Sequence, residues 1–182
     1  MHLYRVFPFV KTSKIGQVGH PLYVVPNLGT GRINNPDLYQ VSYWAKQKEC
    51  AISETFGGFR KWNKDTFKGK PNLPGSTYAI ATASVPDDFE YFDMDDLKNL
   101  SVLKLKPSRV VTRNQDETQA WAKSIFENSR TNGISWWSIY WPEWQSLGLW
   151  NIEQLTIEDI EILTNKNPEV IQAANTMNKI LS

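Results

Sequence analysis

The chain predicts an α+β fold in one mixed domain. Three observations carry that reading: stretches with two-residue apolar alternation recur from end to end, segments with helical apolar spacing stand between them, and no linker or low-complexity run divides the 182 residues. A hydrophobic content of 41%, with 13% aromatic, is enough to fill a sizeable core at this length.

His2 to Phe9 (HLYRVFPF) reads as the first strand, with Leu3, Arg5, Phe7 and Phe9 on one face. A charge among apolar residues there is unusual. Residues 10–19 form a loop and Leu22 to Val25 a short strand. Residues 26–37 carry three Gly/Pro/Asn clusters and exclude regular structure. Leu38 to Trp44 is the next strand, followed by a helix over Lys46 to Phe56 that Gly57-Gly58 stops. Residues 59–75 are polar and read as a long surface loop or flap.

Thr77 to Val85 and Leu100 to Lys106 have strand character, and the acidic run Asp87 to Asp96 has room for a helical turn before Leu97. Asp116 to Arg130 is an amphipathic helix with Ala120, Trp121, Ser124, Ile125 and Asn128 around its inner stripe. Asn132-Gly133 ends it, and Ile134 to Tyr140 (ISWWSIY) is a strand. Thr156 to Leu163 fits either a helical turn opened by Thr156-x-x-Asp159 or a strand. Asn167-Pro168 caps a final helix that runs to Ile180.

A net charge of +1, with basic and acidic residues interleaved, argues against direct nucleic-acid binding and favours a small molecule or a protein as partner. One cysteine, Cys50, permits no internal disulfide and reads as a small buried hydrophobe. With only His2 and His20 besides, no metal site is expected. No signal peptide is apparent, and no apolar run approaches the ~20 residues that span a bilayer. The expectation is a cytoplasmic protein without a membrane segment. An apolar patch around Trp141 to Trp150 offers a route to self-association as a homo-oligomer.

The chemistry-bearing residues fall in one short segment. Arg32 lies in the loop Gly31-Arg32-Ile33-Asn34-Asn35-Pro36, where a guanidinium and backbone amides can converge on an anion. A surface turn explains the same pattern. Tyr43 follows on a strand, where it either fills the core or stacks on a flat ring. Glu54 has Cys50, Ala51, Gly57 and Gly58 as its helical neighbours, so no local cation pairs with it. Such a carboxylate suits a developing positive charge on a sugar carbon, unless a distant arginine or solvent satisfies it. Arg5 adds a second candidate anion ligand. Ser138 stands between Trp136 and Tyr140 on one strand face, in a pocket or in a packed core.

With these residues in view, the chain resembles the RES domain family. Leu3-Tyr4-Arg5-Val6 is similar to the family's opening strand, and Gly31 to Pro36 to its Gly-Gly-Arg-Trp-Asn-Pro loop. Tyr43-Trp44-Ala45 and Cys50 to Glu54 resemble its tyrosine strand and glutamate helix. Thr118 to Ala122 and Asn132 to Ser138 resemble its late helix and serine strand. The pieces occur in order over most of the chain. Thr30, Ile33 and Ile139 depart from the family pattern, Ile139 standing where many relatives have arginine.

The resemblance implies a fold like that of ADP-ribosyltransferases, with largely antiparallel central sheets and flanking helices. It also implies an enzyme that degrades NAD at the nicotinamide–ribose bond, as the toxin of a toxin–antitoxin pair. NAD would then be substrate, with no resident cofactor, and water or phosphate the acceptor. Arg32, Glu54, Tyr43 and Ser138 would be catalytic. Arg5, Arg32, Tyr43 and Ser138 would bind NAD, with Ser138 at the nicotinamide end, and an antitoxin protein would be the partner. Two alternatives stay open: ADP-ribosyl transfer to a macromolecule, and a non-catalytic module binding through its tryptophans.

Overall fold

A computed structural model describes residues 1–182. In chain order the elements are β1 (His2–Phe9), β2 (Ser42–Ala45), α1 (Lys48–Phe56), β3 (Lys61–Trp62), β4 (Thr77–Ser84), β5 (Phe92–Asp93) and α2 (Leu97–Val102). There follow a 3-10 turn (Pro107–Arg109), α3 (Gln115–Asn128), β6 (Gly133–Trp137), β7 (Gln145–Leu149), β8 (Thr156–Ile162), α4 (Pro168–Thr176) and β9 (Ile180–Leu181). Seven strands form one sheet in the order β5-β6-β7-β2-β1-β4-β8, and β3 pairs with β9 in a second. Every pairing in the large sheet is antiparallel except β5 with β6. This is the α+β architecture, with a largely antiparallel central sheet, that the family resemblance implied.

The strand period sorts side chains onto two faces. Leu3 and Phe7 of β1 join Trp44, Ala79, Ala81, Leu147 and Leu149 in one core. Tyr4 and Val6 point to the other face, where Ile80 meets Cys50, Ile52 and Phe56 of α1 and Val170 and Ala173 of α4. A third core lies under α3, whose Trp121, Ala122 and Ile125 pack on Ile33, Ile134 and Trp136. No helix is long and apolar enough to cross a membrane.

Several expectations are corrected. Leu22 to Val25 is not a strand: prolines flank it, and the Tyr23 N–H closes a turn onto His20 O (3.0 Å). The strand expected over Leu38 to Trp44 is confined to β2. Leu100 to Lys106 is not extended, because the Asp96 carboxylate accepts from the Lys98 N–H (2.8 Å) and caps a helix that overrides the local β propensity. Residues 59–75 are no mere flap, since Trp62 and Phe67 pack into the core against Phe56. Thr156 to Leu163 resolves as the strand β8, paired with β4. The last helix stops at Thr176, and Ile180 belongs to β9.

Two further readings change. On α3 the buried positions are Thr118, Trp121, Ala122 and Ile125, while Ala120, Ser124 and Asn128 face solvent. The segment Trp141 to Trp150 is no continuous surface patch. Half of it is β7, Trp144, Leu147 and Leu149 are buried, and Trp141 is its exposed tryptophan.

Candidate active site

Strand β1 pairs with β4 along all eight of its residues but registers with β2 only at Tyr4↔Ala45. Beyond that pair the two strands part, and a cleft of about 390 Å³ opens between them. Its walls are Arg5 and Val6 from β1, Tyr43 and Trp44 from β2, and Ala51, Glu54 and Thr55 from α1, with Arg32, Trp136, Ile139 and Ser146 completing it. A second concavity, about 680 Å³, shares Arg5, Val6 and Thr55 and continues along His20, Tyr23, Lys70 and Tyr78.

Glu54 faces this cleft from α1 and is solvent-exposed rather than buried. It makes no salt bridge. Its Oε1 accepts from Ser138 Oγ at 2.7 Å and from Ser146 Oγ at 3.2 Å. Ser138 lies just past the end of β6 and is only 2% exposed. Its backbone N–H donates to Trp144 O (2.7 Å), and its hydroxyl accepts from the Tyr140 N–H (3.2 Å). That hydroxyl spends its proton on orienting the carboxylate and keeps one acceptor lone pair uncommitted.

Tyr140 lies against Gly57, where a Cβ would come within 2.4 Å of its ring. Gly57 has φ −59°, ordinary helical geometry, so this position needs glycine for space and not for a left-handed cap. Lys179, beyond α4, donates to Gly57 O (2.6 Å) and ties the chain's last turn to the end of the glutamate helix.

Arg32 is held differently. Its Nη1 donates to Val110 O (2.7 Å) and Thr112 O (3.0 Å), and the guanidinium sits 5.9 Å from the Trp136 ring centroid. Burial lowers its pKa, while Glu54 across the cleft and Tyr43 push it back up. The loop around it is pinned by α3: Gln119 Nε2 donates to Gly29 O and Gly31 O (both 3.0 Å), and Thr118 Oγ1 donates to Arg32 O. Asn35 Nδ2 donates to Gln119 O (3.1 Å), and Tyr39 OH to Ile33 O (2.8 Å).

Tyr43 lines the cleft with its ring edge-on to Trp136 (6.3 Å between centroids, 80°), and its hydroxyl donates to Asn34 Oδ1 (2.6 Å). Burial pushes its pKa up to about 12, so it works as a neutral phenol. Gly31 leaves room for it, because a Cβ there would lie 2.6 Å from the Tyr43 hydroxyl and would push that hydroxyl or Asn34 aside. Arg5 lines the junction of the two concavities. Its Nη1 donates to Pro21 O (2.6 Å) and Ser42 Oγ (2.9 Å), and its side chain shares the Trp44 face of the sheet. Burial lowers its pKa to about 10, which leaves it charged at neutral pH.

The fold thus brings Arg5, Arg32, Tyr43 and Glu54 to one cleft and sets Ser138 behind Glu54. Cys50 stands apart as a buried thiol, 3.6 Å from Ser146 Oγ, with its pKa raised to about 12 by burial. Sequence reasoning missed Ser146, whose signal was a lone serine beside leucines in a strand-length run. It also missed Thr118 and Gln119 as supports of the arginine loop, for which no local signal exists. No group of three or more His, Cys, Asp or Glu side chains is placed to hold a metal ion.

The sequence model of the RES domain matches residues 2–167. The chain belongs to the RES domain family. No curated protein matches it. Among solved structures, a chain of the M. tuberculosis MbcT-MbcA toxin–antitoxin complex is similar over 98% of this chain and 89% of that one, with a TM-score of 0.62 at 14% identity. That likeness shows a shared fold. The RES match ends at Asn167, so α4 and β9 lie beyond it, although α4 packs against the helix that carries Glu54.

Proposed function

We propose that this RES domain cleaves the nicotinamide–ribose bond of NAD, and that it acts in the cytoplasm as a toxin restrained by an antitoxin protein. The observation that carries the reading is Glu54, a carboxylate without an ion-pair partner, aimed by two serine hydroxyls into a cleft that Arg32 also lines. Two contiguous concavities joined at Arg5 suit a ligand with two lobes, as a dinucleotide is. The similar solved structure comes from a toxin–antitoxin complex, which supports the partner.

In the reaction the bond between ribose C1′ and the nicotinamide nitrogen breaks. Its electron pair stays with nicotinamide, which leaves neutral, and positive charge develops on the sugar. Glu54 opposes that charge at short range, and Ser138 and Ser146 keep its carboxylate from rotating away. Arg32 pairs with a phosphate oxygen, while neutral Tyr43 and Trp136 shape the wall beside the ribose. The oxygen of water or of phosphate then bonds to C1′, and an attacking water gives up its proton to the exposed Glu54 carboxylate or to solvent.

Nicotinamide release from NAD by the purified protein tests this, with and without added phosphate. The wild type releases nicotinamide, Glu54→Gln slows release by about 10²–10³-fold, and phosphate dependence identifies the acceptor. Equal release by the variant overturns the role of Glu54. Label from NAD retained on protein, without free product, replaces cleavage by ADP-ribosyl transfer.

A further inference from the structure

Arg32 lines a second recess besides the cleft. This recess, about 390 Å³, is walled by Arg32, Thr112, Arg113, Gln115 and Thr118, with no apolar residue among them. Two guanidinium groups border it, and neither makes a salt bridge. The carboxylate of Glu117, one turn into α3, is already engaged by Arg109 Nε at 2.6 Å. No carboxylate is bonded to either guanidinium, and an anion between them lowers the repulsion of the two like charges.

The backbone makes the arrangement specific. Val110 O and Thr112 O hold Arg32 through Nη1, and the next residue along the same stretch is Arg113. The segment that orients one arginine thus delivers the other. Burial raises the Tyr140 pKa, Glu54 raises it further and Arg113 lowers it, so the Arg113 charge reaches a hydroxyl that the Glu54 charge also reaches. Nothing in the sequence marked Arg113, which sits in an ordinary polar turn before a helix.

We propose that Arg113 and Arg32 together bind one phosphate group, so that Arg113 is a substrate-binding residue of this RES domain. The proposal deepens the NAD reading and rests on it for the origin of the phosphate, which is either the pyrophosphate of NAD or a free phosphate acceptor. Two guanidinium groups on the wall of one recess can each donate to a tetrahedral anion, Arg32 through the nitrogens that Val110 O and Thr112 O leave free.

The test pairs calorimetric titration of inorganic phosphate and of ADP into wild type, Arg113→Gln and Arg113→Lys with nicotinamide release at varied NAD and phosphate. Arg113 is exposed, so its variants fold as the wild type does, which circular dichroism checks. Arg113→Gln is expected to weaken binding about tenfold, the size of one charge-assisted contact, with Arg113→Lys partly restoring it. A raised KM for NAD with weakened ADP binding assigns the pyrophosphate, and a raised KM for phosphate alone assigns the acceptor. Binding and both KM values unchanged in Arg113→Gln overturn the proposal while leaving NAD cleavage standing. Phosphate or ADP binding that depends on Arg113, without nicotinamide release by the wild type, retains the anion site and overturns the NAD reading. Wild type that neither binds these probes nor releases nicotinamide overturns both.

Discussion

Glu54 stands on a nine-residue helix whose other side is buried against the sheet and α4, whereas Arg32 stands in a loop without regular structure. The glutamate wall is held mainly by packing: Cys50, Ile52 and Phe56 are almost wholly buried, and two hydroxyls make the final adjustment to the carboxylate. The arginine wall is held by hydrogen bonds to backbone carbonyls, with α3 reaching across through Thr118 and Gln119. Packing tolerates small polar changes and fails on added volume. A hydrogen-bonded loop fails when one buried partner is removed.

The largest effect expected is at the packed wall. Gly57→Ala places a Cβ within 2.4 Å of the Tyr140 ring and of Ser53 O, and should cost about 1–3 kcal/mol. Thermal unfolding followed by circular dichroism measures it. An unchanged midpoint would mean that this wall has slack, and the contrast between the walls would lose its basis.

A smaller effect is expected at the arginine wall. Thr118 is wholly buried, and Thr118→Val keeps its shape while removing the donor to Arg32 O. A loss of about 1 kcal/mol is expected, and on the proposed function KM for NAD rises more than kcat falls, because the loop that carries the Arg32 guanidinium loosens. An effect on kcat alone would place Arg32 in the chemical step instead.

The smallest effect concerns Tyr43, which lines the cleft and donates to Asn34 of the arginine loop. Its pKa is raised from 10 to about 12 in the folded state, so the unfolded chain loses this proton first as pH rises. Stability from this group is complete below about pH 10 and falls as pH climbs toward 12. Denaturant unfolding at several alkaline pH values should therefore show a shallower decline in Tyr43→Phe than in the wild type. Parallel declines would mean that the phenol is less buried than its place in the cleft requires.

The same difference explains how much could be read in advance. The strand patterns of His2 to Phe9 and Thr77 to Val85 and the helix read over Lys46 to Phe56 are short-range signals, and β1, β4 and α1 follow them to within two residues. Glu54 without a local cation and Arg32 among glycines and asparagines were likewise visible, as was the ordered resemblance that named the family. Leu97–Val102 misled because one aspartate cap outweighed strand propensity, and Gln145–Leu149 went unnoticed among tryptophans.

The strand character of β1 and β4, the helical character of α1, α3 and α4, and the choice of Arg32, Tyr43 and Glu54 as candidates follow from local spacing and chemistry, so the sequence alone carried them. That Ser138 serves Glu54, 84 positions away, and that Thr118 serves Arg32, 86 positions away, was decided only by the folded chain. The sheet order β6-β7-β2-β1 sets those distances, and the pairing of distant strands leaves no period in the sequence to betray it.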